Sequence, residues 1–101
     1  MWQFVVIYRR PDDTEAFERY YRTVHVPLVK QFPGLRRMHI TKTRGDVGSV
    51  DDVFLISAML WDDRGGLEAA LRSPERSVAY EDSAKFRQYQ LGRYIGEVED
   101  V

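Results

Sequence analysis

A chain of 101 residues holds one hydrophobic core of ordinary size, so a single domain spanning residues 1–101 is expected. Fifteen basic against sixteen acidic residues leave a net charge of −1, which removes the positive footprint that phosphate-backbone binding needs; no nucleic acid partner is expected. Cysteine is absent and the two histidines stand 14 positions apart, which excludes disulfides, thiolate metal sites and a cysteine nucleophile and makes a histidine metal cage hard to build.

The chain opens on Trp2-Gln3-Phe4-Val5-Val6-Ile7-Tyr8, an aromatic and β-branched run that predicts strand one and stops at Arg9-Arg10-Pro11. The run has no basic leader, and no stretch nears the roughly 20 apolar residues of a bilayer span, so a cytoplasmic protein without membrane contact is expected. Asp12 is placed to cap the following helix, with Glu15 three residues on. From there Phe17, Tyr20, Tyr21, Val24, Leu28 and Phe32 recur at helical spacing, with His25 four residues after Tyr21 on the same side. A proline inside a helix costs about 3 kcal/mol, so Pro27 predicts a break near His25 and the start of a second short helix.

Pro33-Gly34 turns the chain into a second strand, Leu35 to Thr43, and the loop from Arg44 to Asp51 leads to a third, Val53 to Trp61. Asp62-Asp63 then caps a helix with an apolar stripe of Leu67, Ala70 and Leu71, and Ser73-Pro74-Glu75 is a fresh helix start. That last helix, running to Phe86 or Tyr89, carries Val78, Ala79, Asp82 and Phe86 on one face. After Gly92, Arg93 to Val98 predicts the final strand.

The order βαββαβ predicts an α+β, ferredoxin-like domain with a four-stranded antiparallel sheet and its helices on one face. Strand three is apolar on both faces, Phe54, Ile56, Ala58 and Leu60 on one and Val53, Leu55, Met59 and Trp61, with Ser57, on the other. Two helices cover only one face, so a second copy of the chain is expected to pack sheet against sheet on the other, giving a homodimeric barrel.

Several of these motifs together resemble the EthD family of dimeric α/β barrel proteins: Phe17 with Tyr20-Tyr21, the His25-x-Pro27-Leu28 element, Pro33-Gly34-Leu35, Ser73-Pro74-Glu75, and Asp82 followed four residues later by Phe86. The resemblance implies a ferredoxin-like fold, dimerisation through the sheets and a cavity served by the histidine of helix one. The wider superfamily includes muconolactone isomerases, polyketide cyclases, cofactor-free quinone-forming monooxygenases and haem-degrading proteins. Fold alone therefore does not select a reaction.

Among candidate residues His25 comes first, because an imidazole titrates near working pH and sits on an apolar helix side, where it is either satisfied by a neighbour or kept for chemistry. Tyr21 is its expected hydrogen-bond partner, Tyr20 being turned about 100° away, and Asp82 is a candidate to orient it or to act as a second acid or base. Tyr8, Phe54, Trp61 and Phe86 are candidates for the wall of a pocket that takes a small apolar or aromatic molecule, His39 on strand two for its rim, and Arg9 for a ligand carboxylate or enolate. The expected activity is cofactor-independent proton transfer beside a carbonyl, of isomerase, cyclase or lyase type, on a small aromatic, lactone or polyketide-like compound, with no metal and no cofactor. A cofactor-free monooxygenase, a haem-binding barrel with His25 or His39 as axial ligand, and a non-catalytic binding or accessory protein are the alternatives.

Overall fold

The structure, a computed structural model, describes residues 1–101. Strand β1 runs Trp2–Arg9, helix α1 Thr14–Tyr20, a π-helical turn Tyr21–His25, and α2 Val26–Val29. Then come β2 (Arg37–Lys42), β3 (Val53–Trp61), α3 (Arg64–Leu71), α4 (Pro74–Asp82), two 3₁₀ turns at Ser83–Lys85 and Arg87–Tyr89, and β4 (Gln90–Glu97). The strands form one antiparallel sheet in the order β2-β3-β1-β4, and the β1–β2 and β3–β4 connections each cross one strand and put the helices on one face. No helix is long and apolar enough to cross a membrane.

Local chemistry sets the helix starts. Asp13, one residue later than expected, caps α1 by accepting from the Ala16 amide at 3.0 Å. Asp63 caps α3 through the Gly66 amide at 2.8 Å, and Ser73 caps α4 ahead of Pro74. The strands differ slightly from expectation: β2 is shorter at both ends, and β4 begins earlier, at Gln90.

Pro27 does not break the helix. The turn ahead of it widens instead, and the Val26 amide bonds the carbonyl of Tyr21, five residues back. An α-helical turn would press the proline ring against the Thr23 carbonyl and leave that carbonyl without its donor. One extra residue in the turn keeps the chain helical into α2.

The core lies between the helices and the sheet face that carries Phe4, Val6, Tyr8, Leu55 and Met59. Tyr8, Phe17, Tyr21 and Phe86 pack there as one aromatic knot, with ring centroids 5.5–5.7 Å apart. Such pairs add about 0.5–1.5 kcal/mol each beyond their area burial. Phe54 joins this core although strand alternation sets it on the face of Ile56 and Ala58, because the register steps from Tyr8↔Leu55 to Arg9↔Val53 and leaves Phe54 as the extra residue of a bulge. Val78 leaves it, standing 53% exposed.

At the far end of the sheet Trp61 is sealed in. Its indole donates to the Pro33 carbonyl at 2.9 Å, and Gly34 crosses it with φ +73°, a backbone conformation that favours glycine. The opposite sheet face carries Val5, Ile7, Ile56, Ala58 and Leu60, aligned by the pairs Val5↔Ala58 and Ile7↔Ile56. Both faces of the sheet are apolar, as strand three suggested.

Candidate functional site

The π-turn, the end of α4 and the middle of the sheet converge on His25, which is 6% exposed. Its Nδ1 donates to Oδ2 of Asp82 at 3.0 Å, and Asp82 is nearly as buried. The other carboxylate oxygen accepts from the Tyr20 hydroxyl, and Lys85 donates to that same hydroxyl at 2.7 Å. Lys85 Nζ also stands 3.8 Å from Asp82 Oδ1. An ionised carboxylate only accepts, so this arrangement places the imidazole proton on Nδ1 and leaves the Nε2 lone pair free. Burial pulls the His25 pKa below its ordinary value, while the bond to Asp82 and its charge pull the other way. The ring is therefore neutral at pH 7, in the state a general base needs.

Phe86 presses edge-on against this imidazole, with centroids 4.8 Å apart at 86°, and Tyr21 leans on it at 5.2 Å. Tyr21 does not bond His25, however. Its hydroxyl pairs with Oγ of Ser57, on a side chain of β3 that is fully buried. Tyr20 takes the orienting part expected of Tyr21 and holds Asp82 in place, because the extra residue of the π-turn changes which side chains align with residue 25.

His25 lines a narrow cleft of about 40 Å³ between the helices and the sheet. That exceeds the roughly 10–15 Å³ needed for one water, so it is a true space and not a packing gap. Its walls are mainly apolar, with Phe4, Val6, Val29, Phe32 and Met59, and its polar groups are Tyr8, Tyr21, Ser83, Gln90, Arg76 and Arg93. Burial pushes the Tyr8 and Tyr21 hydroxyls well above the usual phenol range, so both stay protonated donors.

Of the residues expected to line the pocket, Tyr8 does so. Phe86 supports the imidazole from behind, and Phe54 is held in the core between Phe17 and the Arg10 guanidinium. Trp61 lies at the other end of the sheet beneath Gly34. His39 belongs to the opposite sheet face, paired with Ala58, and borders a separate groove at the β2 edge with Arg22, Lys30 and Met38. Arg9 stacks on Tyr89, away from the cleft. Tyr20, Lys85, Arg76 and Arg93 were not singled out from the sequence for the places they hold. The Asp82–Lys85 spacing of three was the one available signal. No group of three or more His, Asp or Glu side chains stands close enough to hold a metal ion.

A split βαβ sheet with a buried histidine–carboxylate pair in an apolar cleft places the molecule among the ferredoxin-like α+β proteins. The EthD domain family matches residues 9–88, and the chain belongs to that family. An EthD family protein from Bacillus halodurans has a similar solved structure, with a TM-score of 0.89 at 31% identity, over 98% of this chain and 99% of that one. An uncharacterised 11.0 kDa protein from the thcB-thcC intergenic region of Rhodococcus erythropolis is 29% identical over 86 residues, which cover 85% of this chain and 84% of the relative. The fold extends to SnoaB, a cofactor-independent oxygenase from Streptomyces nogalater, with a TM-score of 0.73 at 15% identity over 99% and 94% of the two chains. A dimeric ferredoxin-like protein of unknown function from Thermobifida fusca shares it as well, with a TM-score of 0.62 at 19% identity over 94% and 86%.

Proposed function

We propose that the protein is a cofactor-independent enzyme that moves a proton at a carbon beside a carbonyl, on a small compound with an apolar or aromatic body. The observation that carries this reading is the His25 imidazole, anchored through Nδ1 to Asp82, with Nε2 unbonded, in the wall of a mainly apolar cleft. Nε2 takes the proton and Asp82 stabilises the imidazolium that forms. The test is proton–deuterium exchange, followed by NMR, in a panel of aryl ketones, lactones and β-dicarbonyl compounds. Wild-type protein should accelerate exchange in at least one compound, and His25→Ala should not. Acceleration that survives in a folded His25→Ala variant contradicts the mechanism, and panel-wide inactivity with saturable binding marks a non-catalytic binding protein.

A second reading uses the same base. Deprotonating an electron-rich phenol or hydroquinone prepares it to reduce dioxygen directly, and the shared fold with a cofactor-independent oxygenase is what favours it. Oxygen uptake with hydroquinones, absent with His25→Ala, separates it from proton transfer.

We also infer a homodimer built on the bare sheet face. Val5, Ile7, Ile56 and Leu60 give that face an apolar centre, and a structural neighbour is dimeric.

A further inference from the structure

Three guanidiniums converge on one ring at the open end of the His25 cleft. Arg76 in the first turn of α4, Arg87 beyond that helix and Arg93 on β4 lie 5.0, 4.0 and 5.6 Å from the centroid of Tyr80. None of the chain's ion pairs includes any of them. Arg87 bonds the Tyr80 carbonyl and Ser83, yet its Nε is buried without a partner. Burial, together with the charges of Arg93 and Arg87, holds the Arg76 guanidinium below its ordinary pKa. A cation in the first turn of a helix also meets the positive end of the helix dipole. Like charges gathered this closely, with no carboxylate of the chain among them, leave a counter-charge to be supplied from outside.

Arg76 and Arg93 line the same cleft as His25, while Arg87 stays behind Tyr80. We propose that Arg76 and Arg93 form an anion subsite, and that the natural ligand is a small apolar compound bearing a carboxylate. The inference rests on the reading of the cleft as the substrate site and adds the substrate's charge to it. A planar guanidinium fork matches a carboxylate in two parallel hydrogen bonds, which fixes orientation as well as affinity. The anion then sits at the open end, the apolar body runs inward along Phe4 and Val6, and the acidic carbon lies toward Nε2 of His25.

Calorimetric titration of the full chain with benzoate, phenylacetate and 1-naphthoate, each beside its neutral amide, tests the subsite. At least one carboxylate should bind about tenfold more tightly than its amide at low salt, and the preference should shrink as salt rises. Arg93→Gln, an exposed position, and Arg76→Gln should each reduce the preference to under about threefold with amide binding unchanged. Equal binding of acid and amide, or a preference kept in both variants, overturns the anion subsite and leaves the cleft reading intact. Binding of neither acids nor amides overturns both.

Discussion

At His25 the controlling balance is between burial, which favours the neutral ring, and Asp82, which favours the charged one; burial prevails. Catalysis by the neutral ring should therefore rise with pH through a value below the ordinary histidine pKa and stay flat above neutrality. Asp82→Asn removes the opposing influence, so the acid limb of the pH–rate profile should move lower while turnover falls by about 10²- to 10⁴-fold. The same shift has a consequence for folding. The unfolded chain binds a proton at residue 25 more readily than the folded one, so this contribution to stability is present above the ordinary histidine pKa and is lost as pH falls toward the lower folded value. Urea unfolding at pH 5 and pH 7.5 should show a pH dependence that His25→Gln reduces. The two neighbouring tyrosines should separate cleanly. Tyr20→Phe strips a donor from Asp82 and should lower activity with little effect on stability. Tyr21→Phe leaves the buried Ser57 hydroxyl unpaired and should cost about 1–3 kcal/mol, most of it recovered by adding Ser57→Ala.

At the level of elements, the π-turn connects sequence to chemistry. Pro27 forbids a regular α-helical turn, and the wider turn delivers His25 to Asp82 and Tyr20 to the other carboxylate oxygen. Pro27→Ala makes the α-helical register available, so the expected outcome is a protein of equal or greater stability whose His25 has lost part of its coupling to Asp82, read as a lowered imidazole pKa by NMR. The order of strands and helices was legible in the sequence because each element announces itself: an aromatic and β-branched run in β1, a capping aspartate before α3, Ser73-Pro74 before α4. His25 and Asp82 were legible for similar local reasons. What was not legible depended on non-local geometry. The exchange of roles between Tyr20 and Tyr21 follows from one extra residue in a turn, and the inward position of Phe54 follows from a bulge that only pairing with β1 creates. The arginines around Tyr80 come from a helix, a connecting turn and a strand with no common spacing, so no motif gathers them.

For the molecule as a whole, the sheet carries two apolar faces and the helices cover only one. Ile56→Glu, placed at the centre of the bare face opposite Ile7, should convert a dimer into a monomer by light scattering and leave the helix-side core folded. A wild-type monomer at micromolar concentration would remove the dimer from the proposal. The charge at the open end of the His25 cleft and the base at its inner end define one axis for a bound molecule.

The most direct test of the central claim, that Asp82 holds His25 as a neutral base with Nε2 free, is a pH titration of the ¹⁵N-labelled imidazole by NMR. The expected result is a pKa below the ordinary histidine value, with the proton of the neutral ring on Nδ1 and that preference lost in Asp82→Asn. A neutral ring protonated on Nε2, or a pKa at or above the ordinary value, would contradict it.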